Sequence, residues 1–214
     1  MSNRFLIIII AIIIGFFGFF FLIKKKSTNN SHTSSSTAQA SNHVEGENKA
    51  GVTLTEFGDY QCPACKAYYP VVKQVVEKHK ADIQFQFKNF PLVQIHAHAF
   101  EGARAAEAAS KQGKFWEMHD LLYENQDTWT AGTDPLTTFV SYAASLGLNT
   151  DQFKSDYASP AINDIINADQ QQGVDIGANS TPTFVLNGKK IDQNPSSADA
   201  FDKLIADAIA AKKK

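Results

Sequence analysis

Cysteine is nearly absent from this chain: 214 residues contain only Cys62 and Cys65. The disulfide framework that staples small secreted domains needs several bridges, so two cysteines exclude one. A bridge between them would add little stability, because it closes a loop with only two intervening residues and the loop-closure term grows with length. A surplus of positive charge is missing too. The chain carries 20 basic and 22 acidic residues, but Arg4 and Lys24 to Lys26 belong to the N-terminal segment. Residues 27–214 keep 16 basic residues against 22 acidic ones, which removes the electrostatic case for nucleic-acid binding. No internal repeat is visible, and the length fits one domain plus an appendage.

What is present centres on Glu56-Phe57-Gly58-Asp59-Tyr60-Gln61-Cys62-Pro63-Ala64-Cys65-Lys66. Ahead of it, Val52 to Phe57 is rich in β-branched and aromatic residues and reads as a strand. Behind it, Tyr68, Val72, Val75, Val76 and His79 recur at three- and four-residue steps, which predicts a helix with one buried face. The cysteines therefore sit where a strand turns into a helix, with Cys62 at the helix N-terminus. A thiolate there meets unpaired backbone N–H groups and the positive end of the helix dipole, so its pKa falls. Pro63 suits the first turn, where its missing N–H would have had no partner. C-x-x-C beside a βαβ pattern is a redox signature. A structural disulfide or half a zinc site is the plainer alternative.

Residues 52–66 resemble the active-site segment of DsbA-like thiol–disulfide oxidoreductases of the thioredoxin superfamily. Three more stretches match that family in order: Phe90-Pro91-Leu92 with His96 and Ala99, then Gln112 to Asp120, then Thr181-Pro182-Thr183-Phe184. The resemblance covers roughly residues 50–210. It implies an α/β, thioredoxin-like fold with an all-helical insertion at about 95–178 and a folded domain at 50–214. The residues themselves predict the order β-α-β, helices, β-β-α. Strands are expected at 52–57, 83–90, 183–186 and from 189, with Asn187-Gly188 as a hairpin turn. Helices are expected at 98–112, 114–125, 135–146, 150–157 and from 160 to about 173, with a closing amphipathic helix at 197–212. Asp134 is expected to cap the 135–146 helix, with Pro135 as its first residue.

Phe5 to Ile23 is an unbroken run of 19 apolar or glycine residues, about 28 Å long as a helix and close to bilayer thickness. Lys24 to Lys26 follow at once, and the first A-x-A, Ala38-Gln39-Ala40, lies far downstream. This favours an uncleaved transmembrane helix over a cleaved signal peptide, so residues 1–26 are expected to anchor the chain in a membrane. Residues 27–49, rich in Ser, Thr and Asn, are expected to be a flexible linker. The lysine flank argues for a cytoplasmic domain under the positive-inside rule; oxidising chemistry argues for an extracytoplasmic one, and the expectation follows the chemistry.

The resemblance assigns Cys62 as an exposed nucleophile, Cys65 as the buried resolving thiol, and Glu56 as a proton relay beneath them. Thr181 and a cis Pro182 would lie against the pair and receive an extended client segment. Asp59, nearer the surface, would shape the loop that includes Pro63 and Ala64. Ala64 departs from the most oxidising members, which carry His there. No cofactor beyond the redox pair is expected, and no metal: His96-x-His98 places its histidines in different directions on a helix, far from finger-like spacing, and cap or core roles fit better. His119, Trp116 and Trp129 read as helix packing. The expected partners are exported client proteins with cysteines and a DsbB-like membrane thiol oxidase. The rivals are a reductase or isomerase on the same fold and, from another class, a metal carrier using the cysteine pair and a histidine.

Overall fold

The computed structural model describes residues 39–213. The apolar run at 5–23 and most of the expected linker lie outside the described residues. Among the described residues no helix is long and apolar enough to cross a membrane.

The first long strand, β2 (Val52–Gly58), feeds α1 (Pro63–His79), and the chain returns through β3 (Ile83–Asn89) in parallel with β2. The alternation in β3 does what it predicts: Ile83, Phe85 and Phe87 are buried, while Gln84 and Gln86 are only partly covered. On α1, Val72, Val75 and Val76 are buried. Helices α2 (Ala99–Ser110), α3 (Phe115–Glu124), α4 (Gln126–Thr130), α5 (Leu136–Ser145), α6 (Thr150–Tyr157) and α7 (Pro160–Asp175) follow. The hairpin β4 (Thr183–Leu186) and β5 (Lys189–Lys190) and the closing α8 (Ala198–Lys212) complete the order. Asn187 and Gly188 both have positive φ, as the tight turn between β4 and β5 requires. β4 runs antiparallel to β2, and with β1 (His43–Glu45) at the far edge of β3 the order is β1-β3-β2-β4-β5, β2 central.

Three expectations need correction. The folded part does not begin at 50. His43–Glu45 forms β1, antiparallel to the free edge of β3. Its polar composition gives no strand signal, and the strand exists because β3 offers unpaired backbone groups for it to complete. Second, α4 is absent from the sequence reading: Gln126–Thr130 is one turn, too short to show a period. Third, α5 starts at Leu136 with Pro135 as its N-cap, although Asp134 Oδ1 still accepts from Leu136 N at 3.0 Å.

A buried polar knot ties β1, β3 and the helical insertion together. Asp169 of α7, wholly buried, accepts from Ser41 N at 2.8 Å, Ser41 Oγ at 2.6 Å and Asn89 N at 3.1 Å. Lys88, only 5% exposed, lies 3.2 Å from the same carboxylate and also bonds Ser41 O. Nearby, His43 Nε2 lies 2.8 Å from Glu107 Oε1, and its ring stacks on Phe115. Removing one partner of such a pair strands the other charge away from water. Asp169→Ala should therefore lower the unfolding free energy by about 3–5 kcal/mol, measured by chemical denaturation, whereas a loss under about 1 kcal/mol would mean that Lys88 reaches solvent.

Candidate active site

β2 ends at Gly58, and the chain makes a short loop before α1. Cys62 is the N-cap of α1 with extended backbone, and Pro63 takes the first helical position. The loop is pinned from several sides. Cys62 N donates to Asp59 O at 3.0 Å. The Asp59 carboxylate accepts from Gln61 N at 2.8 Å and Leu92 N at 2.9 Å, and its Oδ2 lies 2.7 Å from His96 Nδ1. Asp59 is 1% exposed, so it is not nearer the surface, as the sequence reading has it. Three donors satisfy its charge where water cannot. His96 does not cap α2; its ring holds Asp59. His98 occupies the N-cap position of α2, and its backbone N donates to Gln61 Oε1.

Two residues that sequence reasoning missed complete the loop. Gln126, on the unpredicted α4, is buried and donates from Nε2 to Tyr60 O at 2.8 Å and Cys62 O at 3.0 Å. Tyr60 packs under the loop, its hydroxyl 3.1 Å from His119 Nδ1. Neither carries a sequence signal, because both act through contacts more than fifty residues away in the chain.

Both cysteines are thiols, and both are buried: Cys62 is 5% exposed and Cys65 is 0% exposed. The expected exposed nucleophile is therefore corrected to a nearly covered one. Its cover is the segment before β4: the Thr181-Pro182 bond is cis, and Cys62 Sγ donates to Thr181 O at 3.4 Å. Thr181 Oγ1 is buried without a hydrogen-bond partner among the described residues.

The electrostatics separate the two thiols. A hydrogen bond from the Cys65 thiol brings Cys62 down to about 5. Burial opposes this, and the N–H groups of Cys65 and Ala64 support it. Burial drives Cys65 well above the ordinary thiol value, and the charges of Glu56 and Cys62 add to the rise. One hydrogen bond works the other way, from Asp59 N to Cys65 Sγ at 3.5 Å. Glu56, 3% exposed on the central strand, is pushed up to about 8 by burial first and the Cys62 charge second. One thiol is poised to be a thiolate, its neighbour to keep a proton, and a carboxyl that titrates near neutrality lies close by. Pro63 and Ala64 lie on the exposed first turn of α1. Among the described residues, no three His, Cys, Asp or Glu side chains converge as a metal-ligating set.

The sequence model of the thioredoxin family matches residues 38–207. Among solved structures, BdbD from Bacillus subtilis (oxidised) is similar over 81% of this chain and 97% of its own, at 26% identity and a TM-score of 0.69. A thioredoxin-like oxidoreductase from Silicibacter pomeroyi DSS-3 covers 81% and 93% at 26% identity, with a TM-score of 0.65. The α-DsbA1 of Wolbachia pipientis, at 19% identity and a TM-score of 0.70, shares the fold. Curated relatives include the Na(+)/H(+) antiporter NhaA 3 of Salinispora tropica, 32% identical over 169 residues, 79% of this chain and 25% of that protein. The chain spans about a quarter of the length of the curated relatives it matches.

Two titrations follow from this geometry. In the reduced protein, thiolate absorbance should appear in one step near pH 5, from Cys62, and vanish in Cys62→Ser; a single step above pH 8 would refute the thiolate assignment. Glu56 is protonated in the fold at pH values where it would be ionised in the unfolded chain. Its contribution to stability is thus complete below about 4.5 and is lost as pH rises toward 8. In the oxidised protein, where the Cys62 charge is gone and burial remains, Glu56→Gln should gain stability over the parent progressively across that window. Denaturant unfolding at several pH values checks this, and a gap independent of pH would contradict it.

Proposed function

The chain belongs to the thioredoxin family, and on that premise we propose that it is a DsbA-type thiol–disulfide oxidoreductase that introduces disulfides into exported proteins. The observation that carries this is the split between the two thiols, with Cys62 near 5 and Cys65 far above it. A client thiolate attacks the Cys62 sulfur of the oxidised pair, the Cys62–Cys65 bond breaks, and Cys65 leaves with a proton that Glu56 can supply. A second client thiolate then attacks the client sulfur of the mixed disulfide. Cys62 departs as a stable thiolate, a good leaving group, and the client keeps its new bond. Two electrons pass from the client dithiol to the cysteine pair, and no further cofactor enters the reaction. Stabilising the Cys62 thiolate stabilises the reduced protein, which makes its disulfide the more oxidising.

An extended client segment would lie along Thr181 and Pro182, pairing with backbone groups of Thr181 once the client displaces the Cys62 contact. On this reading residues 5–23 anchor the chain, the folded domain works outside the cytoplasm, and a membrane thiol oxidase, DsbB-like or equivalent, reoxidises the pair. A reductase on the same fold is the second reading, favoured by one observation: Ala64 supplies neither the charge nor the hydrogen bond of a histidine at that position. The antiport activity in the relatives' names belongs to proteins of which the shared segment is a quarter, and none of it is carried over.

Equilibration of the full chain in glutathione buffers, with trapping and counting of free thiols, separates the two readings. A potential of roughly −120 to −180 mV supports the donor of disulfides; one near roughly −270 mV would turn the reading to a reductase. Cys65→Ser, whose Cys62 thiolate can attack a client disulfide and release one client thiolate but cannot resolve the product, should accumulate a mixed disulfide with a disulfide-bonded client, and Cys62→Ser should form none.

A further inference from the structure

On the side of β2 and β3 covered by α1 and α3, the two helices part and leave a cleft of about 690 Å³, large enough for a small organic molecule. Its walls are rings: Tyr69 from α1, Phe85 from β3, and Trp116, His119 and Tyr123 from α3. His119 adds no positive charge, because burial holds its imidazole down to about 3. Around these rings lie carboxylates, and most are already neutralised. Glu47 pairs with Lys49, Glu77 with Lys80, and Asp120 with Lys73 at 2.7 Å. Two are not. Among the described residues neither Glu45, half-buried on β1, nor Glu56, below it on β2, has an ion-pair partner.

We propose that this cleft is a binding site for a compact organic cation of the alkylammonium or quaternary ammonium class. Ring faces attract a cation through their quadrupoles, most strongly where water is excluded. At the rim the wall already meets a cation, where the Lys73 ammonium donates to the Tyr69 hydroxyl at 2.7 Å. Deeper in, the Tyr123 hydroxyl is buried, lines the cleft and has no hydrogen-bond partner among the described residues. A bound ammonium N–H or ligand hydroxyl would supply that partner. Glu45 is held above the usual carboxylate range by burial, then by the Asp120 and Glu77 charges. The cleft's own members thus feel the negative field that a cation would relieve. The site has a consequence for the cysteines, since its deepest acid is Glu56. A cation there would favour the ionised form of Glu56, and by linkage the redox state of Cys62 and Cys65 would alter the cation's affinity.

The binding test requires no assumption about redox activity. The chain has two tryptophans, so the nitrogen-labelled full chain in a non-ionic detergent gives two indole N–H resonances, which Trp116→Phe assigns. Choline is titrated against its neutral carbon isostere, dimethylbutanol. Choline should move the Trp116 resonance saturably and leave Trp129, buried elsewhere, in place; the isostere should move neither. Glu45→Gln and Glu56→Gln should each weaken choline roughly threefold to tenfold, with an unmoved Trp129 resonance reporting the intact fold. No response of Trp116, an equal response to both probes, or unchanged affinity in the two variants would overturn the site. Disulfide exchange with a reduced client, run on the same samples, shows separately whether the redox reading stands.

Discussion

A thiolate in a nearly dry place must be stabilised by groups that cannot move away, and at Cys62 these are the Cys65 thiol and the first N–H groups of α1. Much of the surrounding structure serves to keep that turn in position. Asp59 fastens the loop to Leu92 and His96. Gln126 fastens it to the helical insertion. The insertion therefore forms one wall of the site, and a short helix that looks dispensable in the sequence carries one of its main ties.

The same constraint explains why the two cysteines differ so much while standing one turn apart. Cys62 lies where backbone donors converge, and Cys65 lies one turn deeper, where burial dominates. Glu56 belongs to the same balance. The Cys62 thiolate raises the proton affinity of its carboxyl, and the charges of both raise that of Cys65. Proton and electron movements at this site are consequently coupled before any client arrives.

Local patterns made much of the fold legible. Period-two alternation in β3, the three-and-four spacing on α1 and the Asn187-Gly188 turn appear where the residues place them. The cysteine pair and its place at a strand-to-helix junction were equally plain. What stayed hidden depends on distance along the chain. Lys88 and Asp169 are 81 residues apart, and neither signals a buried charge by itself. β1 is polar and becomes a strand only by completing an edge. Asp59 has the composition of a surface turn, yet Leu92 and His96, brought over from the next loop, bury it. The covering of Cys62 by Thr181 follows from tertiary packing alone.

The sheet's outer strands are brief: three residues in β1 and two in β5. A long, bare strand edge invites any extended chain to add to it, and it does so without regard to sequence. A protein proposed to handle partly folded clients meets such chains constantly, and a generous edge would turn each encounter into the start of an aggregate. With edges this short, adventitious pairing has little to grip, and on the proposed reading extended partners are left a place where backbone contact leads to chemistry, beside Thr181 and Cys62.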